Sequence, residues 1–307
     1  MQKYMEYLKP GNVISENKDL DGVSIVIPTY NRNRLLDLSL LSLVNQIFPK
    51  DKYEVIVVDD GSNPKADVVV KKYESVIDLT YLYQDDQGFR VSKARNLGIK
   101  ASKYKTILFI DCGVLCGPDV VSEHYALHKK RSIVAMGLPF CFETGKGIPP
   151  EIDKLLDLGE LNIIFKLMGD DKAYIDPRYI FFQKYNFDLS NMKTPWIFAW
   201  TCHLSVSKSS LINVGGFDEN FKSWGGEDVE LAIRLYDNDN KFVVARDVKT
   251  FHIPHDKNKI GRLLSGRNNA DYIHKKHNTK YTALLREGHG NEAMIRIIET
   301  GLLDKVR

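Results

Sequence analysis

The chain has 307 residues, and its 43 Lys plus Arg against 40 Asp plus Glu leave a formal net charge of +3, too small to argue for nucleic acid as a partner. It lacks the run of about eighteen apolar residues that a transmembrane helix needs, and Met1 to Pro10 has no signal-peptide core, so a peripheral membrane contact is the most that is expected. Cys112, Cys116, Cys141 and Cys202 form no C-x-x-C pair, which points away from structural zinc or disulfides and towards a cytoplasmic protein.

Val23 to Ile27 is a short apolar run ending at Pro28. Leu35, Leu36, Leu38, Leu41 and Val44 follow with helical spacing, halted near Pro49. Glu54 to Val58 is a second buried-type strand, leading into Asp59-Asp60-Gly61-Ser62. Tyr81 to Tyr83 and Thr106 to Ile110 complete the set, with a helix from about Ser92 to Ala101 between them. Strands without polar alternation, separated by helix-length segments, predict a mostly parallel sheet covered on both faces. Ligands of such sheets bind beyond the carboxyl ends of the strands. Thr29-Tyr30-Asn31, Asp59-Asp60 and Asp111 all fall there.

Leu138 to Trp200 has no clear period and many aromatics, assigned mainly to packing. Next come Gly215-Gly216-Phe217-Asp218-Glu219 and Ser223-Trp224-Gly225-Gly226-Glu227-Asp228, before a helical run from Val229 to Tyr236. The glycines permit a tight turn. Glu227 and Asp228 can serve the positive end of that helix, or one can take a proton from a hydroxyl. Trp224 offers a flat face to a sugar. His252-Ile253-Pro254-His255-Asp256 is a weak metal signal by itself. The His124/His128 and His274/His277 pairs are read as structural. Lys257, Lys259, Arg262 and Arg267 predict a basic loop able to close over an anion, with helices expected at Ala270 to His277 and Glu292 to Leu303.

Ile25 to Arg32, Val57 to Ser62, Phe109-Ile110-Asp111, and Gln87 to Arg90 leading to Ala94 to Gly98 resemble the donor half of GT-A glycosyltransferases of family 2. With the Trp-Gly-Gly-Glu-Asp block, the resemblance narrows to bacterial chondroitin-polymerase-type domains, and in the acceptor half to β-1,4-galactosyltransferases. It covers residues 23–256 and implies a GT-A α/β fold. The donor half would be 23–120 and the acceptor half 121–256, flanked by an N-terminal extension (1–22) and a basic loop with a helical tail (257–307).

The resemblance implies an inverting hexosyl- or N-acetylhexosaminyltransferase that uses a UDP-sugar. Its acceptor would be a saccharide, a lipid-linked glycan, a peptide or a small molecule. Pro28 and Tyr30 would flank the uracil and Asp60 would accept from its ring N–H. Arg95 would reach the ribose or diphosphate, with Asp111 and Cys112 in the ribose and metal region. Asp228 would be the general base, already ionised near neutral pH through the helix dipole. Glu227 and Trp224 would hold the acceptor.

The family's Asp-x-Asp reads Asp111-Cys112-Gly113 here, so the second carboxylate is missing. His255 matches the galactosyltransferase metal histidine and His252 stands where that family has methionine. Asp111, His252 and His255 are therefore the expected ligands, with Mn²⁺ favoured over Mg²⁺ because imidazole suits transition metals. Two alternatives remain at this stage: a catalytically impaired nucleotide-sugar-binding subunit, and a sugar-phosphate nucleotidyltransferase. The second usually has a Gly-rich basic loop where this chain has Pro28 to Asn31.

Overall fold

A computed structural model describes residues 19–129, 132–140, 150–169, 175–255, 259–287 and 290–303. Most of the expected N-terminal extension, together with Cys141, Asp256 and Lys257, lies outside the described residues.

The first half runs β1 (Leu20–Thr29), α1 (Asn33–Val44), β2 (Tyr53–Asp59), α2 (Asp67–Val70), β3 (Leu79–Tyr83), α3 (Val91–Ala101), β4 (Tyr104–Ile110), β5 (Val114–Cys116) and α4 (Val120–His128). It continues through β6 (Ile133–Phe140), α5 (Pro150–Asp157), α6 (Leu161–Gly169), α7 (Tyr179–Lys184), β7 (His203–Ser207), α8 (Lys208–Asn213), α9 (Glu227–Asp237) and β8 (Lys241–His252). Helices α10 (Lys259–His277), α11 (Lys280–Glu287) and α12 (Gly290–Leu303) follow.

Among the described residues, eight strands form one sheet in the order β3-β2-β1-β4-β7-β6-β8-β5. The first four are mutually parallel, β7 is antiparallel to both its neighbours, and β6 and β8 are again parallel. Side chains alternate across the pleat, so each strand feeds two cores. Ile25, Ile27, Val55 and Val57 pack with Leu36, Leu40 and Leu43 of α1. Val26, Ile56 and Val58 pack on the other face with Ala94 of α3 and Leu231 of α9. The expected mostly parallel sheet with helices on both faces is thus present. A Cβ on Gly98 would stand 2.4 Å from Val26 Cγ1, so only glycine lets α3 approach β1 this closely.

The basic segment is not a loop. From Lys259 it forms the first turns of α10. Ile260, Leu263 and Leu264 are exposed there, and Gly261 and Gly266 lower helix propensity. The apolar contrast that announces a helix is therefore missing from the sequence. The aromatic middle segment is packing, as expected: Trp196 and Phe198 are buried in the core shared with α9.

Candidate active site

At the end of β1, Asn31 adopts φ 52°, its amide donates to Ser62 Oγ at 2.8 Å, and its Oδ1 accepts from Asn63 N at 2.8 Å. Asp59 and Asp60 divide their work. Asp59 is fully buried and accepts from Ser62 N, Ala66 N and the Tyr81 hydroxyl at 2.7–2.9 Å, so it shapes the turn. Asp60 accepts from Gln84 Nε2 and, at 3.0 Å, from Arg90 N. Burial raises its carboxyl above the usual range. Tyr30 is 45% exposed and donates to Asp86 Oδ2 at 3.0 Å. Pro28, expected beside it, is buried within β1 opposite Val58, so Tyr30 is the one of the two that presents an open ring.

Arg95 on α3 is only 3% exposed. Its Nη1 donates to Glu227 Oε1 at 2.9 Å and its Nη2 to Asp111 Oδ1 at 3.1 Å. Burial opposes its charge, but Asp111, Glu227 and Asp228 outweigh that and raise its pKa. Arg95 was expected to meet the donor directly. Here it is a strut between a strand end and the start of α9. Among the described residues, Arg95 Nε and Glu227 Oε2 are buried without a hydrogen-bond partner, and such atoms call for an explanation.

Asp228 is half-buried and its Oδ1 accepts from Val229 N at 2.8 Å. Burial and then the neighbouring Glu227 push its carboxyl up to about 7, against the pull of Arg95 and the Val229 and Thr201 amides. The helix dipole, expected to favour its ionised form, is opposed here by desolvation and a like charge. A pKa near the working pH is what a general base requires.

Gly225 and Gly226 have φ 97° and 92°, a left-handed pair that glycine adopts without steric cost. Trp224 before them is 39% exposed, but the Arg262 guanidinium lies 4.3 Å from its ring centroid. A ring face expected to be open to a sugar carries a cation instead, brought there because α10 replaces the expected loop.

The strand register brings the Asp111 turn to the histidines. Val114 pairs with His252 and Ile253 N donates to Gly113 O at 2.8 Å. Even so, among the described residues no three His, Cys, Asp or Glu side chains stand together as a ligand set. Asp111 is engaged by Arg95, while Arg32 Nη1 donates to His255 Nε2 at 2.7 Å. The expected trio is therefore not gathered, because two guanidinium groups hold two of its members. In kind the donors suit a transition metal. Nε2 of His255 keeps its lone pair, and Nδ1–H donates to Ile253 O at 3.2 Å, the outer bond that orients such a ligand. Gly113 has φ 96°, which disfavours a carboxylate-bearing residue there. Cys112 faces the core, accepting from Thr29 Oγ1 at 3.5 Å. Burial raises its thiol to about 12, so its side chain is not presented to a ligand.

Sequence reasoning missed Arg32, Asn269 and Arg178. Arg178 is fully buried, bridges to Asp176 Oδ2, Phe198 O and Gly137 O at 2.6–2.8 Å, and lies over Trp200. Arg32 stands at the end of the Ile25–Arg32 block and Arg178 pairs with Asp176 nearby, but their other partners, like those of Asn269, are distant in sequence. His124 and His128 are structural as expected, joined through Ser205 and His203.

The sequence profile of glycosyl transferase family 2 matches residues 24–195, more than half of the chain. A second profile, described as the N-terminal domain of galactosyltransferase, matches residues 182–256. Validoxylamine A glucosyltransferase of Streptomyces hygroscopicus subsp. limoneus is 36% identical over 256 residues, covering 83% of this chain and 56% of that protein. Chondroitin synthase of Escherichia coli is 34% identical over 226 residues, covering 71% of this chain and 32% of the relative. The chain thus spans little more than half, or a third, of these relatives. Among solved structures, S. aureus TarS 1-349 in complex with UDP-GlcNAc aligns with TM-score 0.60 at 19% identity, over 86% of this chain and 70% of that one. That likeness establishes the GT-A fold.

Proposed function

Because this chain belongs to glycosyl transferase family 2, we propose that it moves a sugar from a UDP-sugar to an acceptor hydroxyl with inversion. The observation that carries this reading is the pair on α9, where Asp228 has its carboxyl raised to about 7 and Glu227 has an unpartnered Oε2. The naming of relatives as glucosyl- and polysaccharide-forming transferases supports it, as does the UDP-GlcNAc complex of TarS.

In this reading Glu227 Oε2 accepts a hydrogen bond from the acceptor and orients it. The reacting hydroxyl gives its proton to Asp228 as its oxygen bonds to the anomeric carbon. The bond from that carbon to the UDP oxygen breaks with its electron pair, and UDP departs from the opposite face. Tyr30 and Asp60 receive the uracil. Arg95 keeps Glu227 and Asp111 in register, and Arg32 supplies fixed positive charge at the crevice mouth. Mn²⁺ (or Mg²⁺) would be held by His255 with His252 and Asp111 once Arg32 yields Nε2, and when bound would neutralise charge on the leaving diphosphate. The same reading puts the enzyme in the cytoplasm, with its nucleotide-sugar donor.

A panel of UDP-sugars, with and without Mn²⁺, tests this. The true donor raises the melting temperature, and UDP appears in step with a glycosylated product. Stabilisation without turnover on any acceptor returns the impaired-subunit reading. Pyrophosphate release from UTP and a sugar phosphate returns the nucleotidyltransferase reading.

A further inference from the structure

The carboxylate pair stands on a turn of two left-handed glycines, and the N-cap of α9, Gly226, has no side chain with which to cap the helix. Glycine loses more conformational freedom than any other residue when it is ordered. Something other than the turn's own chemistry must therefore hold it, and the hold comes from α10. Asn269 Nδ2 donates to the carbonyls of Ser223 at 3.2 Å, Trp224 at 3.2 Å and Gly225 at 2.6 Å. Its Oδ1 accepts from Ser223 Oγ at 3.3 Å. One side chain thus ties three successive peptide groups, and it is 9% exposed. One helical turn on, Ile273 packs against the same turn. Its Cδ1 lies 3.0 Å from where a Gly226 Cβ would stand.

Helix α10 is itself anchored at its far end. Lys276 pairs with Asp218 at 2.6 Å and Glu230 at 2.8 Å, and His277 Nε2 meets Glu230 Oε1 at 3.0 Å. Glu230 is one turn of α9 beyond Glu227 and fully buried. The start of α9 is therefore clamped from one helix at two points, by residues beyond both matched segments.

We infer that Asn269 is the positioning residue of the transfer site, setting the direction in which α9 presents Glu227 and Asp228 without itself touching substrate. The inference rests on the reading of Asp228 as the base. A carboxylate delivered by a freed glycine turn samples orientations away from the hydroxyl, and displacement of about 1 Å costs on the order of 10²-fold in rate. The donor contacts at Tyr30 and Asp60 belong to other strand ends and are untouched.

Asn269→Asp keeps the shape but removes all three donations, and Asn269→Ala removes the side chain. Both variants are expected to lose about 10²-fold in kcat with UDP affinity, measured by calorimetry, within twofold of wild type. Amide hydrogen exchange should quicken at 225–230 and remain unchanged in β1, β2 and β4. Asn268→Ala, at the exposed neighbouring position, should leave kcat unchanged. Wild-type kcat and wild-type exchange in both Asn269 variants would overturn the inference. So would parallel loss of UDP affinity, or failure of both variants to fold, which would make Asn269 a determinant of the whole fold. If wild-type protein transfers no sugar, the functional reading fails, while exchange at 225–230 still decides whether Asn269 holds the turn.

Discussion

The proposed donor rim and the proposed acceptor turn are built on different principles. At the donor rim, Tyr30, Asp60 and Asp111 come from the carboxyl ends of neighbouring strands, and the sheet itself places them. Asp60 is held by Gln84 and the Arg90 amide at and beyond the adjoining strand end, Tyr30 by Asp86, and Asp111 by Arg95. At the acceptor turn, the carboxylates are placed by side chains remote in sequence: Arg95, 132 residues before Glu227, and Asn269, 44 residues after Gly225. A parallel sheet supplies a rigid rim from its topology. A glycine turn must borrow its rigidity, so mutations around it should act on catalysis, whereas those at the rim should act on binding.

The largest expected effect lies at the turn. Asp228→Asn should lower kcat by about 10²–10⁴ while UDP binds as before. The wild-type rate should rise with pH through about 7, where the carboxyl sheds its proton, and the variant should lose that limb. The same raised pKa has a stability consequence. Between about 4 and 7 the native state keeps a proton that the unfolded chain has lost, so stability falls as pH rises across that window. Asp228→Asn should therefore raise the melting temperature at pH 8 and leave it nearly unchanged at pH 3. Wild-type turnover in this variant with saturating acceptor would move the base to Glu227.

Arg95→Met bears on both regions at once, because one guanidinium joins them. Removing one partner from a buried ion pair costs about 3–5 kcal/mol, so urea unfolding should show a loss of that size. A loss under 1 kcal/mol would mean that Arg95 is a donor contact rather than a strut. Asp60→Ala tests the rim alone. UDP affinity should weaken by about 1–3 kcal/mol, the range for a hydrogen bond to a charged group, with kcat at saturating donor nearly preserved. Unchanged UDP affinity would break the assignment of the uracil to Tyr30 and Asp60.

The smallest effect at neutral pH concerns the packing beneath β7, where His203 and Ser205 meet α4. His203 is buried and His128 half-buried, and desolvation pushes their pKa values down to about 3 and about 4. Both lie below the unfolded value near 6.5, so their contribution to stability is full above that pH and is lost as pH falls through the folded values. The urea midpoint should decline below about pH 6.5, and His128→Gln should flatten the decline. A midpoint independent of pH between 7 and 4 would contradict the lowered pKa values of this pair.

Much of the rim was legible because period, strand length and turn chemistry are local properties. The alternation of apolar strands and helices marked β1, β2 and β4, and the polar residues at their ends marked the crevice. The neighbours Asp59 and Asp60 were not separable, since which carboxylate folds back depends on Ala66 N and Tyr81. The acceptor turn was legible as a motif and not as a mechanism. Nothing local distinguishes an aspartate with an ordinary pKa from one raised to about 7, because the shift comes from burial under distant elements. The same limit explains Trp224, one face of which is covered by Arg262, and the first turns of α10, where Ile260, Leu263 and Leu264 point to solvent.

The sequence by itself determined the layered α/β architecture, the family, the polar strand ends of β1, β2 and β4, and the carboxylate pair at a helix start. These follow from hydrophobic period, glycine placement and short motifs, which are encoded within a few residues. Only the tertiary structure decided that Arg95 bridges Asp111 and Glu227, that Arg32 rests on His255 where a metal ligand was expected, that Cys112 faces inward, and that Asn269 ties the glycine turn. Each of these depends on the distance between groups far apart in the chain. Desolvation, charge pairing and hydrogen-bond satisfaction are functions of that distance, and it exists only once the chain has folded.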